Sequence, residues 1–429
     1  MILRTVIVLL IACFVSLQAK AEVENISQPI PGQFIVKFKD QNGKASEKTA
    51  KLEKKYGAVT DNVLENSFKG AVVKVPSGKE KDISNDPDVE QLVQDFTVYA
   101  IDKPLDSPSS EGAKSSGAMG GTASQVIPTG INWIDAELNT TNEGSGVKVA
   151  VLDTGIDFDH PDLMVNIALS RDFSGDNTGG DDNNFGTAKG HGTHVAGVIA
   201  ALNNTIGVLG VGSQIDLVSV KVLRGTGSGS FGGIISGLDY VTANASVIGV
   251  TNSSFGANGG TNPSQSFIDT SNLLRAAYQR AANAGIINVA AAGNESVNVI
   301  TSNSVPAMYP EVITVSAVDD RNGVQDSADT WASFSNFGSQ VDLIAPGVSI
   351  LSTSNDGKTS SLSGTSFSSP YVAGTVALYI ARNGRPANGD AQLLSSLISA
   401  ISKSRSPLPG EPADGYTEPS CYANGPALQ

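Results

Sequence analysis

Three short stretches carry residue types that together can activate a nucleophile. Val151-Leu152-Asp153-Thr154-Gly155 offers a carboxylate, His191-Gly192-Thr193-His194 an imidazole, and Gly364-Thr365-Ser366-Phe367 a hydroxyl. A serine hydroxyl is a poor nucleophile near neutral pH. It needs a neutral imidazole to take its proton, and a buried carboxylate to orient that imidazole. The chain has 3 histidines, His160, His191 and His194. The last two can share one face of a helix, which leaves two readings: a metal pair, or a base at the helix mouth with a structural histidine one turn inside. A metal pair calls for further Cys, His or carboxylate ligands at close spacing. None cluster there, and H-E-x-x-H is absent. Asp157, Asp159 and Asp162 crowd the loop after Asp153, and spacing alone does not choose among them. Taken in isolation, Ser366 reads as a helix cap, and Asn294 in Ala291-Ala292-Gly293-Asn294-Glu295 as a turn cap.

The elements that must position these residues follow from periodicity. Residues 147–152, 215–223, 247–251, 286–291 and 312–317 are near-continuous apolar runs of strand length. Residues 191–201, 230–242, 267–284 and 366–380 have helical patterns. Such alternation predicts an α/β fold, a mostly parallel sheet with helices on both faces. Sheets of that kind carry their sites at the carboxyl ends of the strands, where Asp153 and Asn294 fall. Upstream, residues 32–38, 68–75 and 94–99 read as strands, 46–56 and 83–92 as helices, giving a small α+β unit over 22–101. Residues 102–123 are rich in Ser, Gly, Ala and Pro and read as a linker. Residues 124–403 form the main domain, and the proline-containing tail 404–429 reads as a loose surface segment.

The first residues resemble an export signal over 1–21: Arg4, an apolar run from Val6 to Val15 too short to span a bilayer, and the small-residue site Ala19-Lys20-Ala21. The chain has 429 residues, enough for two or three domains, and a net charge of -14. That charge argues against nucleic-acid and anionic-membrane partners and favours divalent cations. Of its 2 cysteines, Cys13 lies in the expected signal, so the exported chain keeps Cys421 alone, without an intrachain disulfide. Cys421 reads as a free surface thiol or a site of intermolecular pairing.

Order and wording of the three stretches, including the phrase Ser368-Ser369-Pro370-Tyr371-Val372-Ala373-Gly374, resemble the subtilisin-like (subtilase) secreted serine endopeptidases, the proteinase K-related branch included. The resemblance assigns the base to His191, its carboxylate to Asp153, the nucleophile to Ser366 and an oxyanion donor to Asn294. It implies that the sequon Asn294-Glu295-Ser296 stays unmodified. Asp86-Pro87-Asp88-Val89 and Asp95-Phe96-Thr97-Val98 resemble the family's inhibitor-type propeptide, with maturation between about 100 and 124. Gly227, Ser228 and Gly229, and Ser254, Phe255 and Gly256, are then the walls against which an extended substrate pairs, with Gly256 and Gly293 lining the first pocket. No carboxylate marks a pocket floor, although Glu295 stands near its rim. Cleavage after apolar or aromatic residues is therefore expected, rather than after Arg or Lys.

The run Leu202-Asn203-Asn204-Thr205-Ile206-Gly207-Val208 resembles the family's calcium loop. The resemblance implies a structural Ca2+ held by Leu202, Asn204, Ile206 and Val208 with Asp162 and Gln125, and a second, weaker site at Pro310, Val312 and Asp342. It implies protein and peptide substrates, the chain's own propeptide as an intramolecular inhibitor, no nucleic-acid or membrane partner, and a monomer. Phe367 departs from the family's usual Met after the nucleophile. The rival reading is a catalytically silent binding protein of the same fold, but none of the expected site residues is lost.

Overall fold

The computed structural model describes residues 26–101, 124–182, 190–387 and 391–429. The expected export signal and linker lie outside the described residues. The first unit is an antiparallel sheet of β1 (Pro29–Phe38), β2 (Val59–Leu64), β3 (Gly70–Lys74) and β4 (Val89–Ala100), in the order β4-β1-β3-β2. Helices α1 (Ala45–Tyr56) and α2 (Glu80–Ser84) accompany it. Neighbouring residues of a strand point to opposite faces. Val36, Phe38, Ala71 and Val73 thus join Leu52 and Ile83 in the unit's own core, whereas Ile35, Val93 and Phe96 face the rest of the chain.

A helix over 83–92 is not what forms. The helix ends at Ser84 and β4 starts at Val89. Pro87 disfavours helical backbone at Asp86, and the Asp86 carboxylate accepts the Asp88 N–H at 3.0 Å, turning the chain into the strand. β2 escapes sequence reading because its apolar Val59 and Val63 are exposed while the polar Thr60 and Asn62 take the half-buried positions.

The second unit begins with α3 (Thr129–Trp133), β5 (Lys148–Asp153), β6 (Arg171–Asp172), α4 (His191–Ala200), β7 (Asp216–Lys221), β8 (Ser228–Ser230) and α5 (Phe231–Ala243). It continues with β9 (Ile248–Ser253), β10 (Phe255–Asn258), α6 (Gln265–Asn283), β11 (Ile287–Ala291), β12 (Ser304–Val305), β13 (Val312–Asp319) and β14 (Thr330–Trp331). Next come β15 (Leu343–Pro346), the hairpin of β16 (Ile350–Ser354) and β17 (Lys358–Leu362), α7 (Ser369–Asn383), α8 (Ala391–Ala400), β18 (Ser402–Lys403) and β19 (Ser420–Cys421). Among the described residues the main sheet runs β18-β19-β15-β13-β11-β9-β5-β7-β6, with β14 beside β13. All pairs from β15 to β6 along that order are parallel.

The continuous apolar runs have their cause here, since each central strand is covered twice. Val149 and Val151 of β5 pack with α4 and α7 on one face. Ala150 and Leu152 pack with α5 and α6 on the other, in the core that also takes Ile35, Phe68 and Phe96 of the first unit. Phe96 meets Phe231 and Phe267 edge-on, with ring centroids 6.4 and 5.6 Å away. The first unit therefore docks through its sheet onto α5 and α6.

The tail is not a loose surface segment. Ser420 pairs with Ile344 at the sheet edge, and Leu428 is buried. Arg405 bonds both oxygens of Glu411, at 2.7 and 2.9 Å, and Glu418 at 3.2 Å. Cys421 is neither a surface thiol nor available for pairing between chains. It is fully buried beside Thr375, and burial pushes its thiol up to about 12. Proline content misled because those prolines shape a segment that wraps an existing core. No helix among the described residues is long and apolar enough to cross a membrane.

Candidate active site

Asp153 is the last residue of β5, held at the carboxyl end of the sheet as the strand pattern requires. Its Oδ1 accepts the Nδ1–H of His191, the first residue of α4, at 2.7 Å, and the Thr154 N–H at 2.6 Å. The close approach demands small residues. A Cβ on Gly192 would lie 2.1 Å from the Gly155 carbonyl oxygen and 3.0 Å from Asp153. His194 is not part of this pair; its Nε2 lies 3.1 Å from the Ile350 and Ser360 carbonyl oxygens of the hairpin. Phe367 packs between the two imidazoles, with ring centroids 5.3 Å from His191 and 4.6 Å from His194.

Ser366 is not in the first turn of the long helix. It sits in a short 3-10 turn, Thr365–Phe367, and α7 begins at Ser369 with Pro370 in its first turn. Gly364 precedes it at φ 153, and a Cβ there would come within 2.9 Å of both the Asn294 amide nitrogen and the Ile101 carbonyl oxygen. That oxygen is the focus of the site. It accepts the Ser366 hydroxyl at 2.8 Å and the Asn294 Nδ2–H at 2.8 Å. The Asn294 amide is fixed from behind, its Oδ1 accepting the Thr365 N–H at 2.9 Å and the Thr365 hydroxyl at 3.0 Å. Asp153, His191 and Ser366 are fully buried, and Asn294 is 5% exposed, which leaves no room for a glycan.

The two expected walls flank one strand. The end of β4 pairs antiparallel with β8, Val98 opposite Gly229 and Tyr99 opposite Ser228, and with β10, Ala100 opposite Phe255 and Tyr99 opposite Gly256. The Gly227 carbonyl accepts the Ala100 N–H at 2.8 Å, and the Ser254 carbonyl the Ile101 N–H at 3.4 Å. Ile101 is 8% exposed, and a Cβ on Gly256 would stand 3.0 Å from its Cδ1. At Gly293, with φ of 110, a side chain would strike the Asn336 amide, which also holds the Glu295 carboxylate at 2.7 Å.

Sequence reading missed several residues. Thr365 clamps Asn294, whereas Ser254, already expected as a wall, also donates its hydroxyl to the Ser366 carbonyl at 2.8 Å. Lys221 is fully buried, its ammonium donating to the Thr154 carbonyl and lying 3.4 Å from Asp176. Two carboxylates hold the first unit in place. Asp95 accepts the Gly232 N–H at the start of α5 and the Gln33 amide at 2.7 Å. Asp239, on α5, accepts the N–H groups of Glu65, Asn66 and Ser67. Burial pushes Asp95 up to about 6 against those hydrogen bonds. Nothing in local pattern marks such residues, because their partners lie far off in sequence.

Among the expected calcium ligands, the Gln125 amide faces the carbonyl oxygens of Leu202 and Val208, at 2.5 and 3.1 Å. Asp162 accepts the Asn204 amide at 2.7 Å and the Val208 N–H at 2.9 Å, and Asn204 Oδ1 accepts the Ile206 N–H at 2.7 Å. Gly207, at φ of 61, leaves the space into which the Asp162 carboxylate reaches. Carbonyls, amide oxygens and one carboxylate gathered in a loop suit a hard cation. No group of three or more His, Cys, Asp or Glu side chains comes together among the described residues, so backbone oxygen would have to do most of the binding. In the second expected set, the Asp342 carboxylate accepts the Thr314 N–H at 2.9 Å and is pushed up to about 7 by burial. Val312 is buried there, and Pro310 is exposed.

Residues 144–405 match the subtilase family. The chain is similar to subtilisin NAT of Bacillus subtilis subsp. natto, 36% identical over 377 residues, which are 85% of this chain and 90% of that one. It is also similar to the subtilisin of Bacillus pumilus, 41% identical over 278 residues, 64% of this chain and 91% of the other. Among solved structures, a cold adapted subtilisin-like serine proteinase superposes with a TM-score of 0.54 at 32% identity, covering 70% of this chain and 99% of its own. The parallel sheet, the site at its carboxyl rim and these likenesses lead to one conclusion: the chain belongs to the subtilase family and is a subtilisin-like serine endopeptidase.

Proposed function

We propose that the chain is the precursor of a secreted, monomeric endopeptidase that cuts proteins and peptides by acyl transfer at Ser366, with His191 as base, Asp153 as its orienting carboxylate and Asn294 as an oxyanion donor. The observation that carries this reading is the Ile101 carbonyl oxygen, held at 2.8 Å by both the Ser366 hydroxyl and the Asn294 amide. A carbonyl at that spot is where negative charge would develop on attack, and a pre-aimed donor stabilises it without reorganisation. His191 would take the Ser366 proton, then hand it to the leaving amine. Water, deprotonated by the same ring, would release the acid. Activity falls as His191 becomes protonated.

Residues 1–21 act as the signal, 22–101 as the inhibitor-type propeptide, 102–123 as the linker and 124–403 as the core of the peptidase domain. The propeptide inhibits by laying β4 between β8 and β10, where a substrate would add as a strand. An extended backbone held on both edges makes few demands on sequence, so specificity is broad. The Gly256 wall against the Ile101 side chain favours apolar first-pocket residues. Leu202, Asn204, Ile206, Val208, Asp162 and Gln125 would hold a structural Ca2+, which supplies stability and takes no part in the chemistry. Pro310, Val312 and Asp342 form a weaker second site.

The test is hydrolysis of a short p-nitroanilide peptide ending in an apolar residue, wild type beside Ser366→Ala. Turnover lost in the variant is expected, and equal rates would end the proposal. A peptide-library profile dominated by Arg or Lys before the cut would overturn the apolar preference.

A further inference from the structure

We infer that Lys221 and Asp176 are positioning residues, an ion pair that fixes the Gly227–Gly229 wall relative to the Asp153–His191 pair, an inference that rests on the acyl-transfer reading above. Lys221 ends β7 directly opposite Asp153 in the parallel register. Its side chain is fully buried. An ammonium taken out of water needs a counter-charge and hydrogen-bond acceptors. One acceptor is the Thr154 carbonyl. The counter-charge is the Asp176 carboxylate, 3.4 Å away, in the turn after β6.

Each end of that ammonium holds a different part of the site. The Thr154 N–H donates to Asp153 Oδ1 at 2.6 Å, and its hydroxyl accepts the N–H of Gly192, beside His191, at 3.0 Å. Holding the Thr154 carbonyl thus steadies the turn that aligns carboxylate and imidazole. At the other end, Asp176 Oδ2 accepts the Gly225 N–H at 2.9 Å. Gly225 lies in the turn that carries the wall. In that turn the Arg224 N–H donates to the Ser228 carbonyl and the Gly227 N–H to the Arg224 carbonyl, both at 2.8 Å, and Leu223 bridges Gly229. Asp176 is set from behind, because the Asp172 carboxylate accepts the Ser174 N–H at 2.8 Å and the Thr178 N–H at 2.7 Å.

Packing alone does not call for a charge here. Val220 and Val222 on either side are buried, and an apolar residue in place of a buried ion pair is often no less stable. What an apolar residue cannot do is bond Thr154 and Asp176 at once. The two ends act on different substrates. With a carbonyl at the Ile101 position, the second to fourth residues back take the places of Ala100, Tyr99 and Val98, whose wall partners are Gly227, Ser228 and Gly229. A substrate with a single residue before the cut does not reach that wall, yet it depends on Asp153 and His191 all the same. The Thr154 end therefore acts on kcat for every substrate, and the Asp176 end on KM for long ones.

The experiment compares a four-residue apolar p-nitroanilide peptide with the p-nitrophenyl ester of one acetylated apolar amino acid. It uses two double variants of the full chain, Lys221→Met with Asp176→Asn and Lys221→Met with Asp176→Ala. Neither leaves that ammonium or carboxylate unpaired, and they differ in whether an acceptor remains for Gly225. Labelling of Ser366 by a fluorophosphonate counts the competent enzyme. Both variants are expected to lose about tenfold or more in kcat on either substrate. The variant with Asp176→Ala is expected to show a KM on the peptide about tenfold above that of its Asp176→Asn counterpart, a split not repeated on the ester. Wild-type kcat on the ester in the Asn variant, or equal KM for the two variants on the peptide, overturns the inference, while wild-type turnover leaves the endopeptidase reading standing. A wild type that hydrolyses neither substrate overturns both. If neither double variant folds, Asp176→Glu keeps the ion pair and carries the Gly225 acceptor one methylene outward. A rise in KM on the peptide about threefold or more beyond that on the ester then supports the inference, and an unmoved KM overturns it.

Discussion

Asp239 sets the grip of the first unit on the second, and its geometry yields a number. Its Oδ1 accepts the N–H groups of Asn66 at 2.6 Å and Ser67 at 2.5 Å, and its Oδ2 accepts the Glu65 N–H at 3.2 Å and the Asn66 amide at 3.0 Å. The residue is 7% exposed, so truncation strands these donors in a dry interface. Each hydrogen bond to a charged group is worth about 1.5–3 kcal/mol net. The four share one carboxylate and are not additive, and losing one side of such a buried cluster costs about 2–5 kcal/mol. At about 3 kcal/mol, Asp239→Ala raises the inhibition constant of an added 22–101 fragment roughly 150-fold. Asp239→Asn keeps an acceptor for Asn66 and Ser67 but turns a donor toward the Glu65 N–H, and falls between. The assay is progress-curve inhibition of the mature enzyme on a short peptide, with kcat/KM unchanged because Asp239 touches none of the groups around Ser366. An inhibition constant within about fivefold of wild type, a difference near 1 kcal/mol, would refute the reasoning.

Binding of the same fragment should weaken with rising pH. Burial raises Asp95 from its ordinary 3.8 to about 6 in the assembled chain, so the assembled form holds its proton more tightly than the separated one. The contact is strongest below about pH 4, loses about 3 kcal/mol through the window from 4 to 6, and is level above it. Calorimetry on a Ser366→Ala peptidase reads this, Asp95→Asn should flatten it, and a slope of opposite sign would dismiss it. Removing Ca2+ with a chelator should lower the melting temperature of the Ser366→Ala protein by several degrees, since an ion at about 100 times its Kd contributes roughly 2.7 kcal/mol. Asp162→Asn should erase that difference, and an unchanged melt on chelation counts against the loop as an ion site. Phe367→Met should make activity sensitive to peroxide, because a sulfoxide would form where a ring now packs 5.3 Å from His191. Equal survival of both proteins would show that this contact does not govern inactivation.

How much was legible depended on how local the cause was. The strand before Asp153 declared itself because burial on both faces demands an unbroken apolar run. The pairing of Asp153 with His191 was legible through resemblance, since Asp157, Asp159 and Asp162 were equal rivals by spacing. Thr365, Lys221 and Asp239 were not legible. Each is an ordinary polar residue whose role comes from a partner supplied by folding, at Asn294, Thr154 and Asn66 respectively. The helix expected over 83–92 failed at Pro87, where backbone sterics outweighed apolar spacing. The tail failed for the reverse reason, its composition suggesting exposure where Ser420 and Leu428 are covered.

That tail sets a practical boundary. The family match stops at residue 405, yet Ser420 lies hydrogen-bonded along Ile344, and the Leu428 carbonyl is gripped by the amides of Asn139 and Asn142. A protein trimmed to the matched span would bare a row of unpaired backbone groups beside Leu343 and Ile344, an invitation to stack with its own kind. The last two dozen or so residues act as a selvedge, and whoever shortens this enzyme should expect the cloth to fray from there.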